Sequence, residues 1–154
     1  MMEQLNRAKR YLSRIERLYA GVFSSLGHDE EAYFDDVLSF FIHCHHVRDW
    51  ALHQDRTSMK ARDIDAFIDL NEPLRICADL ANGSKHCKLT RTPRSSHQPT
   101  ISEPQTHYST WLVGNGGGQV LQCSYSVESN GQPFDVQELA RECIILWEQF
   151  LTAP

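Results

Sequence analysis

The segment between positions 29 and 54 constrains the fold more than any other part of the chain, because it is apolar on almost every side of a helix. Its apolar residues recur at steps of three and four, which places them on one helical face. Phe34, Leu38, Phe41 and Ile42 lie outside that face and extend the apolar surface. A helix of this kind is buried within its domain. The segment therefore predicts the central helix of a bundle.

Further helices are predicted on both sides of this central helix. Asp135 and Glu138 have the spacing of a capping box, which marks the start of a helix near the end of the chain. Apolar spacing and capping residues together give the bounds of the other helices as about 3–26, 61–70, 73–87 and 135–151. The sequence thus predicts four or five helices.

The part of the chain before the last helix has a different pattern. Positions 88–107 contain Pro93, Pro99 and Pro104 among several serines and threonines, which predicts a long, mobile surface loop. Positions 108–134 contain short apolar runs separated by glycine-containing turns, which predicts a β-hairpin or meander. The expected fold class is α+β, mostly α: a four- to five-helix bundle with a small antiparallel hairpin or meander before the C-terminal helix.

Composition and charge limit the classes of protein that fit this chain. Its 154 residues, 41% of them hydrophobic, fit one domain over positions 1–154. A formal charge of −5 argues against a generally cationic nucleic-acid binder but leaves room for a local basic patch. No apolar run approaches the ~18–20 residues of a membrane span, and the charged, amphipathic first residues are unlike a secretory signal. We therefore expect no membrane partner.

The five cysteines are an odd number, and no two have CxxC spacing. This pattern predicts reduced thiols and a cytoplasmic protein. Cys44, Cys77 and Cys143 fall among the apolar residues of predicted helices, where cysteine acts as a small hydrophobic residue. A buried thiol keeps its proton, so we do not expect Cys44 or Cys77 to be a nucleophile.

Polar residues form a line on the predicted fourth helix. Arg75, Asp79, Asn82 and His86 project within about 60° of one another, and the apolar residues of that helix form a separate stripe. Four different hydrogen-bonding side chains in one line suggest a binding or catalytic site. The alternative is an ordinary solvated helix face.

The central helix carries a matching polar stripe that includes His43 and His46. If the two helices are neighbours, either histidine could face Asp79 or His86, which would fix the imidazole tautomer and raise its pKa. The same residues could hold a metal ion, but no HExxH or ExxH motif is present. We expect no metal and no cofactor.

Three segments of the chain carry a resemblance to a known group: HVRDW, RICADLANGSKH and LARECIILWEQFL. Together they resemble small uncharacterised bacterial proteins with a HEPN-like helical bundle. Arg48 and His53 also match the R-x4–6-H pattern of the HEPN ribonuclease superfamily. The resemblance implies RNA cleavage by an arginine and a histidine without a metal, a homodimer with the site in its groove, and a role in toxin–antitoxin systems or phage defence.

Two functions remain open from the sequence. The first is a cytoplasmic, homodimeric, HEPN-like protein that acts on RNA or binds it. Its catalytic residues are predicted to be Arg48, His53, Asp79 and His86, and its binding residues to be His43, His46, Arg75, Asn82 and Lys85. The second is a non-catalytic module that binds a small ligand, a metal or a protein partner through its His/Asp/Asn cluster.

Overall fold

The computed structural model describes residues 2–22, 29–53, 60–85, 91–114 and 116–153. Within these ranges it contains five helices and five strands: α1 (Met2–Tyr19), α2 (Glu30–His53), α3 (Ala61–Leu70), α4 (Glu72–Lys85), β1 (Thr100–Ile101), β2 (Gln105–Val113), β3 (Gly116–Ser124), β4 (Ser126–Ser129), β5 (Gln132–Asp135) and α5 (Val136–Thr152). The predicted class, α+β and mostly α with a helix after the strands, is confirmed.

Helix α2 lies at the centre of the molecule, as its apolar pattern predicts. It packs against α1, α4 and α5. Its buried residues recur at helical spacing: Val37, Phe40, Phe41, Cys44, Val47 and Ala51. Burial of such side chains stabilises each by about 1.5–3 kcal/mol relative to exposure. Among the described helices, none is both long enough and apolar enough to cross a bilayer.

The strands form two small antiparallel sheets rather than one meander. In the first sheet β4 pairs with both β1 and β5, and in the second β2 pairs with β3 as a hairpin. The prediction of one mobile loop over 88–107 is therefore wrong in its second half, where β1 and the first residues of β2 lie. Pro99 and Pro104 lie outside β1. Both residues of the strand therefore keep a backbone N–H group, which a proline would lack.

Helix α1 ends at Tyr19, several residues before the end that its apolar pattern predicts. Gly21 has φ +78°, a left-handed conformation that closes the helix, and the N–H of Val22 donates to the carbonyl of Arg17 at 2.7 Å. A Cβ at Gly21 would lie 2.6 Å from the carbonyl oxygen of Leu121 in β3. Glycine is therefore required where the sheet crosses the end of α1.

Candidate functional site

Asp79 does not face the histidines of α2, so the predicted His–Asp contact is wrong for His43 and His46. The carboxylate is only 3% exposed and accepts hydrogen bonds from the N–H of Arg94 at 2.9 Å and the N–H of Ser95 at 2.7 Å. The Ser95 hydroxyl donates a third bond at 2.7 Å. Asp79 thus anchors the segment 91–99 to α4, and its oxygens are occupied by these donors.

Arg48 also has a structural role in this chain. Its guanidinium donates to both carboxylate oxygens of Asp65, at 2.8 and 2.7 Å, and to Asp49 at 3.0 Å. Arg94 binds the same Asp65 at 2.8 Å and Asp69 at 2.5 Å. The hydrogen bonds to Asp65 raise the pKa of Arg48, and the hydrogen bonds from Arg48 lower the pKa of Asp65. This network joins α2, α3 and the segment 91–99.

Arg48 and His53 are not brought together within the chain. The exposed His53 has its Nδ1 at 2.7 Å from the backbone carbonyl of Asp49, one turn earlier on α2. Because five residues on one helix rotate by about 140°, the two side chains point in different directions. Arg75 is also separate, since its guanidinium donates to the carbonyl of Asp69 at 2.6 Å. The predicted His86 lies outside the described residues.

His43 packs against α1. The amide of the buried Gln4 donates to His43 Nδ1 and to the His43 carbonyl, both at 3.0 Å. The ring of Tyr11 stacks on the imidazole with a centroid distance of 5.2 Å. Because Nδ1 accepts a hydrogen bond, it carries no proton in this arrangement. Burial lowers the pKa of His43, and His46, Arg7 and Arg10 lower it further by repulsion.

His46 lies next to Lys85, which brings together two predicted binding residues. Lys85 Nζ donates to His46 Nε2 at 2.8 Å, across the contact between α2 and α4. An ammonium can only donate, so this imidazole nitrogen is the acceptor and the ring is neutral. Burial lowers the pKa of His46, and Lys85 lowers it further, while Asp49 acts in the opposite direction. Asn82, half-buried, precedes Lys85 by three residues on α4.

These contacts define a group of side chains on one side of α1, α2 and α4. The guanidinium of Arg7 lies 5.7 Å from the centre of the Trp50 ring, which extends the group along α2. We call it the basic face, and its members are Arg7, Arg10, His43, His46, Trp50 and Lys85. Glu3 pairs with Arg7 at 2.7 Å at its edge. Sequence reasoning missed Arg7 and Arg10 because no local pattern relates α1 to α2. Trp50 lies on the same predicted stripe of α2 as His43 and His46, but it was not predicted as a site residue.

The cations of the basic face act on its two histidines. Burial is the largest cause of the lowered pKa of both His43 and His46, and repulsion from neighbouring cations adds to it. Cations that lower the pKa of a histidine create a positive potential at that position. A positive potential stabilises a bound anion. The chain as a whole has a formal charge of −5, so this is a local property.

A separate cleft lies between α2, α4 and the segment 91–101, and its volume is about 790 Å³. Phe34, Leu38 and Leu80 form part of an apolar lining. Arg91 and His97 supply polar groups on the side of the loop. This shape and lining are typical of sites for small ligands with an apolar body.

Comparisons with protein-family models, with curated proteins and with solved structures give no match for this chain. The function is therefore argued from the geometry of its own residues.

Proposed function

We propose that this protein binds single-stranded RNA through the basic face. The observation that carries the proposal is the contact of a neutral imidazole, His46, with the amine of Lys85, next to His43, which in turn lies near Arg7 and Arg10. Cationic side chains bind the phosphates, which supply most of the affinity for nucleic acids. Trp50 provides an aromatic ring on which a base can stack. The resemblance to HEPN-like proteins supports the same function.

The state of His46 favours RNA over DNA. When a phosphate takes the ammonium of Lys85, Nε2 of His46 is released as a hydrogen-bond acceptor. The 2′-hydroxyl of RNA is a donor that DNA lacks, and proteins distinguish the two polymers through it. The imidazole is therefore placed to accept from the group that identifies RNA.

In the ribonuclease form of the proposal, the catalytic residues are His46 and Lys85. They take the place of Arg48 and His53, which were predicted from the sequence. A neutral imidazole can take the proton of the 2′-hydroxyl, and a nearby ammonium can stabilise the charge that develops on the phosphate. Arg48 is instead bound by Asp65 and Asp49. The homodimer, a protein partner, the cytoplasmic location and the role in toxin–antitoxin systems or phage defence belong to this proposal too.

The proposal is tested by fluorescence anisotropy with an end-labelled single-stranded RNA and a DNA of the same sequence. We expect tighter binding of the RNA and weaker binding at higher salt. Log affinity decreases with log salt concentration, and each cation that contacts a phosphate of a single strand makes this slope steeper by about 0.7. Lys85→Ala should therefore weaken binding and reduce that slope by about 0.7. His46→Ala should reduce the preference for RNA.

Arg62→Ala is the matched control, because it also removes one positive charge. Arg62 is exposed on α3 and pairs with Asp63 at 3.1 Å. This variant should retain the affinity and the salt slope of the wild type. Equal losses from Lys85→Ala and Arg62→Ala, or an affinity that does not change with salt, would contradict the proposal. A denaturing gel of the same RNA incubated with EDTA reports cleavage, which His46→Ala should abolish and Arg48→Ala should not.

The cleft between α2, α4 and the segment 91–101 supports a second candidate function, the binding of a small ligand with an apolar body and an anionic group. Its apolar lining and Arg91 carry this candidate. The dye anilinonaphthalene sulfonate has both features and becomes fluorescent when it is bound in an apolar site. Leu38→Asp should abolish this signal and leave RNA binding unchanged. A signal that survives Leu38→Asp would exclude the cleft as the site.

A further inference from the structure

Three cysteines from different helices meet in the core. Cys44 lies on α2, Cys77 on α4 and Cys143 on α5, and their sulfurs are all within 4.8 Å of one another. Each of the three residues is 1% exposed or less. Their burial agrees with the sequence prediction of core residues. The contact between the three sulfurs does not follow from sequence, because the residues are far apart along the chain.

Trp147 provides a second, independent observation at the same place. The indole is 1% exposed, and its Nε1 has no hydrogen-bond partner among the residues that the structure describes. A buried polar hydrogen without a partner costs about 1–3 kcal/mol. Trp147 follows Cys143 by four residues on α5, so the two side chains lie on the same face of that helix. A negatively charged sulfur at this position would satisfy the orphaned donor.

Two of the three thiols have main-chain partners. Cys77 donates to the carbonyl of Phe41 at 3.5 Å, and Cys143 donates to the carbonyl of Pro73 at 3.3 Å. The single proton of each of these two thiols is therefore used in a bond to a main-chain carbonyl.

We propose that Cys44, Cys77 and Cys143 form a closed, three-sulfur binding site for the thiophilic metal ion Cu(I). A metal ion that binds sulfur at about 2.3 Å draws three such ligands to about 4 Å from one another, so the sulfurs need to move only slightly. Each thiol that becomes a ligand loses its proton to solvent as its metal–sulfur bond forms. The copper remains Cu(I) throughout, and no oxidation or reduction takes place. The site is separate from the RNA-binding face.

The number and type of ligands select Cu(I) over zinc. Soft sulfur ligands favour Cu(I), zinc and iron–sulfur clusters. Structural zinc sites are almost always four-coordinate. The group of metal-binding side chains found among the described residues contains the three sulfurs and no fourth ligand. Cu(I) accepts three sulfur ligands in a plane, so the set is complete for this ion.

The test uses the full chain with Cys87→Ser as the common background, because Cys87 lies outside the described residues. The reduced protein is unfolded in guanidinium chloride and refolded without oxygen in the presence of Cu(I) as its acetonitrile complex. Bathocuproine disulfonate then competes for the copper and reports the affinity. We expect one Cu(I) per chain to be retained, with quenching of tryptophan fluorescence that Trp147→Phe removes. The melting temperature should rise when copper is bound.

Alanine at Cys44, Cys77 or Cys143 should weaken copper binding at least tenfold. Cys123→Ala is the matched control, because Cys123 is also buried but lies in β3, outside the cluster. This control should bind copper as the background protein does. Circular dichroism establishes that each variant is folded. The shift in melting temperature on copper binding is measured on the background protein, in which all three cysteines of the cluster are intact. Equal loss in Cys123→Ala, no shift in melting temperature, or retention of zinc in preference to Cu(I) would overturn the proposal.

Discussion

His45 shows how strongly the surroundings of a single residue change its chemistry. It is half-buried beside the basic face, and it is absent from the set of site residues predicted from sequence. Burial lowers the pKa of His45 to about 4, and the nearby Arg94, His46 and Arg48 add to this shift, while Asp49 opposes it. His45 is therefore neutral at pH 7, and folding opposes its protonation.

This shift makes stability depend on pH through His45. In the unfolded chain the pKa returns to 6.5, so the unfolded state binds more protons than the folded state between pH 6.5 and about 4. The contribution of His45 to the free energy of unfolding is fully present above pH 6.5 and decreases as the pH falls from 6.5 to about 4. At pH 5 the loss is about 2 kcal/mol. His45→Gln should lose less stability than the wild type between pH 7 and pH 5, as measured by urea denaturation.

The control for this experiment is His97→Gln. His97 is exposed and has its Nδ1 at 2.6 Å from the side-chain oxygen of Asn130. It should retain the pH dependence of the wild type. If His45→Gln shows the same loss between pH 7 and pH 5 as the wild type, His45 is not the residue responsible.

The residue types of the site were more predictable than their partners. The stripe on α2 identified His43 and His46, and the stripe on α4 identified Asp79, while Lys85 was predicted as a binding residue beside that stripe. The contact between His46 and Lys85 depends on how α2 and α4 pack, and this packing is a tertiary property that helical spacing does not contain. Asp79 was misassigned for the same reason, because its partners are backbone N–H groups, which carry no sequence signal.

At the scale of elements, the attachment of the segment 91–99 to α4 depends on Asp79. Asp79→Ala would leave the N–H groups of Arg94 and Ser95 without their charged acceptor in a buried place. We expect a loss of about 3 kcal/mol in the free energy of unfolding, because hydrogen bonds to a charged group are worth more than neutral ones and buried donors are costly when unpaired. Urea denaturation measures this loss, and hydrogen exchange should become faster at the two amides.

Asp63→Ala serves as the comparison for Asp79→Ala. Asp63 is exposed on α3, and its ion pair with Arg62 is exposed as well. An exposed pair contributes little, so this variant should change the free energy of unfolding by less than about 1 kcal/mol. A loss of the same size in both variants would mean that Asp79 has no special structural role.

The ends of elements were less predictable than the elements themselves. The apolar spacing of α1 continues past Tyr19, so the pattern predicts a helix to about position 26. The helix stops earlier because Gly21 takes a left-handed conformation where β3 crosses it. By contrast, the N-cap of α5 was predictable, since Asp135 accepts from the N–H of Glu138 at 2.9 Å within a local motif.

At the scale of the whole molecule, a chain with a formal charge of −5 has its cations unevenly placed. Arg48 and Arg94 are bound to carboxylates between α2, α3 and the segment 91–99. Arg7, Arg10 and Lys85 lie instead around the two histidines with lowered pKa values. Net charge alone argues against a generally cationic nucleic-acid binder. The three-dimensional placement of the charges supports it.

RNA binding should therefore become tighter as the pH falls. In the free protein burial lowers the pKa values of both His43 and His46. His46, Arg7 and Arg10 lower that of His43 further, and Lys85 lowers that of His46 further, while Asp49 raises the pKa of His46. A bound phosphate would raise both values, so the complex binds more protons than the free protein. Affinity should thus rise between pH 7.5 and pH 5.5 at constant ionic strength, as measured by anisotropy. The preference for RNA over DNA should decrease over the same range, because protonated His46 no longer accepts from the 2′-hydroxyl.

His46→Gln should reduce this dependence of RNA affinity on pH, and His97→Gln should not, because His97 lies beside Asn130 rather than in the basic face. An affinity that is constant over this range, or one that falls as the pH is lowered, would rule out protonation of the face on binding.

The attachment at Asp79 also has a consequence for how this chain can change over evolutionary time. Two of its three bonds are made to main-chain groups, which every amino acid except proline supplies at positions 94 and 95. The course of the segment is thus dictated in large part by a side chain on another element, while its residues other than Arg94 and Ser95 remain free to diversify. Variants of the protein could in this way acquire new cleft linings without losing the shape of the cleft.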